Sequence, residues 1–341
     1  RTGLLSLYNV SAFPPVFQAD GTVRKEPSET DSPTTYTDVA AADNVIVATS
    51  QDGGWHLFEI VGDGTLAWRS TSRAGPLVDG RAADARSTAL VGGAGDDLYA
   101  YVGWEGVPPF GADISSEGGI DVYRVAPRSV TRVNRIADLA AVTAFAVQGD
   151  RLLAATAACG GFTGGCTQTL LVYDIASPAQ PRRVGEGLIT DDFLSFGSPR
   201  SVAIGGTFAL VADGFDVHLV SIGTLNGDPT PFVTRETPGE AMAVAVAEDR
   251  FYIADGSNGF ISGDIRGLAS GPLAWVARRG SRQADAPAAT SGDAVDVAVD
   301  PWTNRAYVAT AGARIDVYDV GQRTPVWEHA FVADDFGHAV A

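Results

Sequence analysis

Leu5-Ser-Leu-Tyr-Asn-Val10, Trp55-His-Leu-Phe-Glu-Ile60, Ile120-Asp-Val-Tyr-Arg-Val125, Leu170-Leu-Val-Tyr-Asp-Ile175, Val217-His-Leu-Val-Ser-Ile222, Phe260-Ile-Ser-Gly-Asp-Ile265 and Ile315-Asp-Val-Tyr-Asp-Val320 are seven copies of one short pattern. Successive copies end 43 to 65 residues apart. Repeats of that length belong to radial or stacked repeat folds. A second apolar run precedes most copies, as in Phe208-Ala-Leu-Val-Ala212 and Arg305-Ala-Tyr-Val-Ala309. A third lies before that, as in Val202-Ala-Ile and Val297-Ala-Val. A fourth follows, as in Leu273-Ala-Trp-Val276 and Pro325-Val-Trp-Glu328.

These runs are rich in Val, Ile, Tyr and Phe and bounded by Gly, Asp, Asn and Pro, which is the signature of strands. Several are apolar on successive residues, so both of their faces are expected to be buried. A propeller blade packed between two neighbours meets that requirement. Four strands per copy and seven copies lead to the expectation of a seven-bladed β-propeller of four-stranded antiparallel blades in a single domain spanning 1–341. Six blades fall at about 37–73, 87–136, 141–188, 198–237, 241–280 and 294–331. A closing blade would combine 337–341 with 1–20, because Gly337-His-Ala-Val-Ala341 aligns with Glu240-Ala-Met-Ala-Val-Ala245. From Val320 around to Val10 there are only 31 residues. The closing blade is therefore expected to lack one strand, to be completed by further sequence or a neighbouring chain.

Composition narrows the function classes. The net charge is −17, with 31 Asp among 41 acidic residues and Lys25 as the single lysine. Such a surface repels phosphate backbones, which argues against nucleic-acid binding. The longest uncharged apolar stretch, Leu139 to Val147, is too short to span a bilayer. The two cysteines bracket a glycine-rich loop, Cys159-Gly-Gly-Phe-Thr-Gly-Gly-Cys166, and are expected to form a disulfide in preference to two free thiols or a partial metal site. That pairing points to an oxidising compartment.

Phe208-Ala-Leu-Val-Ala-Asp-Gly-Phe-Asp-Val-His-Leu-Val-Ser-Ile222 resembles the bacterial LVIVD repeat, as do Phe251-Tyr-Ile-Ala-Asp-Gly-Ser-Asn-Gly259 and Val172-Tyr-Asp-Ile-Ala-Ser-Pro-Ala-Gln-Pro181. Asp300-Pro-Trp-Thr-Asn-Arg-Ala-Tyr-Val-Ala309 is similar to the related YVTN propeller repeat. The resemblance implies a propeller that is periplasmic, secreted or displayed on the cell surface. It carries no common catalytic residues, and blade two departs from it through an insertion at Gly103–Gly119.

Candidate chemistry is confined to loops, where function usually sits on such scaffolds. Trp104, Glu105, Phe110 and Asp113 in the blade-two insertion combine rings with carboxylates, a set that suits a sugar or a cationic group, and equally serves to fold the insertion onto its own blade. Arg200, Asp293, Asp296 and His338 fall near the starts of innermost strands, where a polar ring could hold a small ligand or an acid–base pair. The paired Asp191-Asp192 and Asp334-Asp335 offer the oxygen ligands that Ca²⁺ takes, although no calcium motif accompanies them. His56, His218 and His329 lie in outer strands and read as surface or satisfied structural residues rather than ligands. Nucleophile-elbow, zincin, P-loop and dinucleotide fingerprints are all missing from the sequence. The leading expectation is thus a non-enzymatic scaffold engaging a protein or glycan through loops 103–119, 156–168 and 189–199. A channel-mouth lyase or hydrolase, a redox-enzyme subunit and a module of a surface assembly are the alternatives.

Overall fold

Val, Ile and aromatic residues in the repeated pattern and in the run just before it set the strand pairing, because they need burial on both sides. The computed structural model describes residues 4–9, 16–22, 36–50, 54–62, 65–73, 75, 77–78, 81–93, 97–106, 117–126, 129–159, 166–190, 198–223, 228–270, 277–279, 293–311, 314–322 and 325–332. An N-terminal hairpin pairs β1 (Leu4–Asn9) with β2 (Val16–Thr22). Blade one follows as β3 (Tyr36–Ala42), β4 (Val45–Ser50), β5 (Gly54–Ile60) and β6 (Leu66–Arg73). After a small hairpin of β7 (Leu77–Val78) and β8 (Arg81–Ala82), blade two comprises β9 (Asp84–Gly92), β10 (Leu98–Glu105), β11 (Gly118–Ala126) and β12 (Ser129–Leu139). Blade three is β13 (Ala141–Gln148), β14 (Arg151–Cys159), β15 (Cys166–Asp174) and β16 (Arg182–Thr190). Blade four is β17 (Ser201–Gly205), β18 (Phe208–Ala212), β19 (Gly214–Ser221) and β20 (Thr230–Ala241). Blade five is β21 (Ala243–Ala247), β22 (Arg250–Ala254), β23 (Phe260–Asp264) and β24 (Ala277–Arg279), with the short helix α1 (Ile265–Ser270) before its last strand. Blade six is β25 (Ala294–Asp300), β26 (Arg305–Thr310), β27 (Arg314–Asp319) and β28 (Val326–Val332).

The architecture is an all-β propeller of six four-stranded antiparallel blades. The expected count of seven is overturned. The copy at Leu5–Val10 supplies β1, which pairs with β2 alone in a two-stranded sheet. Among the described residues this copy therefore sits in a two-strand hairpin and not in a four-stranded blade. The segment 337–341, expected to open a closing blade, lies outside the described residues.

The chain divides into two compact units, 1–142 with 175–181 and 341, and 143–174 with 182–340. In the first unit, blades one and two share a core that includes Val47, Trp55, Leu57, Ala100, Val102, Trp104 and Tyr123. In the second, Leu153, Leu170, Val172, Ala209 and Val211 join blade three to blade four. Leu210, Leu219, Phe251, Ile253 and Ile261 join four to five, and Tyr252, Phe260, Val308 and Tyr318 join five to six. The second strands β4, β18, β22 and β26 are buried on successive residues, as their uninterrupted apolar runs require.

Polar side chains on first strands supplement this apolar contact. Asp38 Oδ2 accepts from Thr88 N at 2.8 Å, and Thr37 Oγ1 donates to Ala85 O at 2.8 Å, tying blade one to blade two. Ser201 Oγ accepts from Val244 N at 3.2 Å and so ties blade four to blade five. The first hairpin turn of five blades carries a left-handed residue, namely Asp43, Gly149, Gly206, Glu248 and Asn304.

Blades three and four also approach through their outer strands. A Cβ built on Gly187 of β16 would lie 2.0 Å from the Pro229 carbonyl oxygen that precedes β20. Backbone cannot yield like a side-chain tip, so Gly187→Ala is expected to destabilise the chain by about 1–3 kcal/mol. The check is a urea midpoint measured beside that of Gly149→Ala, where no atom lies within 4 Å but the positive φ adds a smaller strain. Equal or smaller loss at Gly187 would contradict the close approach.

Candidate functional site

Alignment of the six third strands places one structural position, the second residue of the pattern, in register across the blades. It holds His56, Asp121, Leu171, His218, Ile261 and Asp316, all buried. A charged or polar group in an apolar strand must find partners, and each of the four polar residues does so differently.

In blade two the Asp121 carboxylate is fully buried and meets Arg135 of β12 through two short contacts, Nε to Oδ1 at 2.6 Å and Nη2 to Oδ2 at 2.7 Å. Tyr123 Oη donates to Oδ2 at 3.2 Å and Gly75 N at 3.0 Å. Arg135 also donates to Gly75 O at 2.8 Å and lies 6.0 Å from the Trp104 ring centroid. The hydrogen bond to Asp121 raises the already high pKa of Arg135, so the guanidinium stays charged.

In blade six Arg314 Nε donates to Asp316 Oδ1 at 2.8 Å, joined there by Trp327 Nε1 at 3.1 Å. In blade four His218 Nε2 lies 3.0 Å from Asp213 Oδ2 and Nδ1 lies 3.0 Å from Thr234 Oγ1. Gln168 of blade three donates to the same Asp213 oxygen at 3.1 Å, and Asp216 N donates to Oδ1 at 3.0 Å. Burial pushes the Asp213 pKa up, but the His218 hydrogen bond and charge, with the other donors, outweigh it and hold the group below the ordinary carboxylate value. In blade one His56 Nδ1 meets Thr71 Oγ1 at 2.9 Å. Both described histidines are therefore structural, as expected from their outer-strand positions.

The residues singled out from sequence disperse. Trp104 and Glu105 end β10 rather than lying in a loop, since β10 runs to Glu105 and β11 begins at Gly118. Trp104 is 3% exposed within the blade-two core, where Gly119 makes room for its ring: a Cβ there would sit 2.5 Å from Cζ2. Glu105 pairs with Arg86 at 2.7 Å. Gly106 N donates to Glu117 O and closes the hairpin neck. Phe110 and Asp113 lie outside the described residues.

In the second unit Arg200 precedes β17 and pairs with Glu240 at 2.5 Å, both about one-third to one-half exposed. Asp296 Oδ1 caps the Val297 N–H at 2.8 Å within the irregular start of β25. The Asp293 carbonyl accepts from Ala311 N at 2.8 Å, and the residue is exposed. His338, Asp191, Asp192, Asp334 and Asp335 lie outside the described residues, so the calcium expectation falls there too. Among the described residues no group of three or more His, Cys, Asp or Glu side chains is arranged to hold a metal ion. Cys159 faces Cys166 directly across the β14–β15 ladder, but the Cys159 side chain lies outside the described ones, and with it the expected disulfide. No helix among the described residues is long and apolar enough to cross a membrane.

The repeat has an independent counterpart. Residues 238–272, covering the end of β20 through α1, match the LVIVD repeat. No curated protein matches the chain. Among solved structures, a Lactobacillus plantarum protein is 16% identical with a TM-score of 0.64, covering 90% of this chain and 88% of its own. The periplasmic gluconolactonase of Pseudomonas aeruginosa is 16% identical with a TM-score of 0.61, over 87% of this chain and 85% of its own. Sqt1 of Saccharomyces cerevisiae is 9% identical with a TM-score of 0.53, over 90% and 77%. At these identities the likeness is one of fold. The chain thus has the β-propeller fold and carries one match to the LVIVD repeat, at 238–272.

Proposed function

We propose that this propeller is an exported binding scaffold without a catalytic centre of its own, engaging a protein or glycan through the loop end of blade two. The observation that carries this reading is how its buried ionisable groups are used. Asp121, Asp213 and Asp316 are each held by a guanidinium or an imidazole and by further donors inside the blades. They brace strands, and a carboxylate so braced is a poor general acid or base. The polar residues at the inner-strand starts of the second unit are likewise tied to one another or to backbone. The blade-two connection between Gly106 and Glu117 is long, and long connections on rigid scaffolds are favoured recognition elements.

The test replaces residues 107–116 with a short Gly-Ser-Gly bridge across the neck already closed by Gly106 and Glu117. Intact and trimmed chains are compared on arrays of glycans and of surface proteins. The expected result is at least about a tenfold loss for the trimmed chain, since a recognition loop supplies 1.4 kcal/mol or more. Unchanged binding removes the loop from the proposal. Sustained hydrolysis of a sugar lactone by the intact chain, the reaction class named for the Pseudomonas aeruginosa neighbour, would overturn the non-catalytic reading.

A further inference from the structure

The Asp213 network does more than satisfy one buried histidine. Its four side chains come from two blades: Gln168 from β15, and Asp213, His218 and Thr234 from the β18–β19 connection, β19 and β20. Asp213 and His218 are 5% and 3% exposed by side chain. The same carboxylate closes its own turn through Asp216 N, and Asp213 N donates to Asp216 O at 3.1 Å. Gly214, in the middle of that turn, has a φ of 110°. Arg200 rests against it: a Cβ at Gly214 would lie 3.8 Å from the guanidinium, and Arg200 N donates to Ala212 O at 2.8 Å. Arg200 in turn reaches Glu240.

We propose that Asp213 and His218 form an acid-labile clasp, which while Asp213 is ionised joins blade three to blade four and fixes the turn that supports Arg200, and which opens when Asp213 is protonated. The hydrogen-bond inventory explains the asymmetry. Ionised Asp213 only accepts, and Gln168 Nε2, Asp216 N and a His218 Nε2–H can all serve it. A protonated carboxyl brings a hydrogen to a site already crowded with donors. Thr234 Oγ1 can donate to or accept from Nδ1, so that nitrogen keeps a partner whether or not it carries a hydrogen. The other charged groups on the elements around the carboxylate are Asp174 on β15, Arg200 before β17, Asp216 on β19, and Arg235, Glu236 and Glu240 on β20, of which Arg235 donates to Thr234 O at 3.2 Å.

The sign of the pH effect follows from linkage. A carboxyl held below its ordinary value contributes stability above the unfolded-state pKa of 3.8 and loses it as pH falls through the folded-state value. The experiment compares the full chain with Asp213→Asn by melting temperature from pH 7 to pH 2.5. The gap between them is expected to close as pH falls below about 4, through the folded-state value of Asp213. Hydrogen exchange at the Asp216 amide, corrected for intrinsic rate, should accelerate at least about tenfold in the wild type over the same interval and already be fast in the variant at neutral pH. Gln168→Ala, which removes only the inter-blade donor, gives a second reading if Asp213→Asn fails to fold: its gap to wild type should close in the same interval. A gap that is independent of pH, or a turn amide that stays protected at pH 2.5, overturns the proposal.

Discussion

Arg135→Met should cost about 3–5 kcal/mol of stability, because it strands a buried carboxylate. Asp121 is fully buried, and its two strongest contacts are to this guanidinium. What remains is Tyr123 Oη, Gly75 N and Arg132 at 3.9 Å, two hydrogen bonds and one loose ion pair. The same variant frees Gly75 O and removes the cation beside Trp104. The single variant alone would not separate the worth of the pair from the penalty of leaving one charge unpaired. The double variant Asp121→Leu with Arg135→Met does so, because replacing both members of a buried pair by apolar groups is often nearly neutral. Urea denaturation of the wild type, both single variants and the double variant closes the cycle. A loss below about 1 kcal/mol for Arg135→Met would mean that the pair behaves like an exposed one, against its burial.

How much of this was legible beforehand differs between strands and site. The strand runs themselves were legible, as in β4, β18, β22 and β26, because two-sided burial forces an apolar run that sequence displays directly. Blade number was overcounted because the copy at Leu5–Val10 satisfies the local pattern, yet its strand pairs with β2 in a two-stranded sheet. A strand signature records what a segment prefers to bury, whereas blade membership depends on partners elsewhere in the chain.

The buried polar position was half visible. Ile120-Asp-Val-Tyr123 and Ile315-Asp-Val-Tyr318 set an aspartate at the same place in two core strands, and a charge in such a run signals a built-in partner. The partner itself was not readable, since blade two supplies Arg135 from the next strand and blade six supplies Arg314 from two residues away. Gln168 reaches Asp213 from another blade, 45 residues distant, and no local pattern encodes that.

Trp104→Ala is expected to lose about 3–5 kcal/mol, the cost of emptying a core site of that size, and this separates the two roles open to it. A tryptophan that stacks on a ligand is exposed in the free protein and costs little stability when removed. Trp104 instead packs with Trp55, Val102 and Tyr123 and is nearly without exposure. The space it fills is prepared by the backbone, since Gly75 and Gly119 both lie where a side chain would meet its ring. Trp104→Phe should recover part of the loss, because a smaller ring leaves a smaller void. Neither substitution should weaken partner binding directly while the chain remains folded, in contrast to trimming 107–116. Thermal melts and binding measured on the same preparations check both halves. A Trp104→Ala chain with unchanged melting temperature and lost binding would return the residue to the recognition surface and move the functional end of blade two from its loop to its strands.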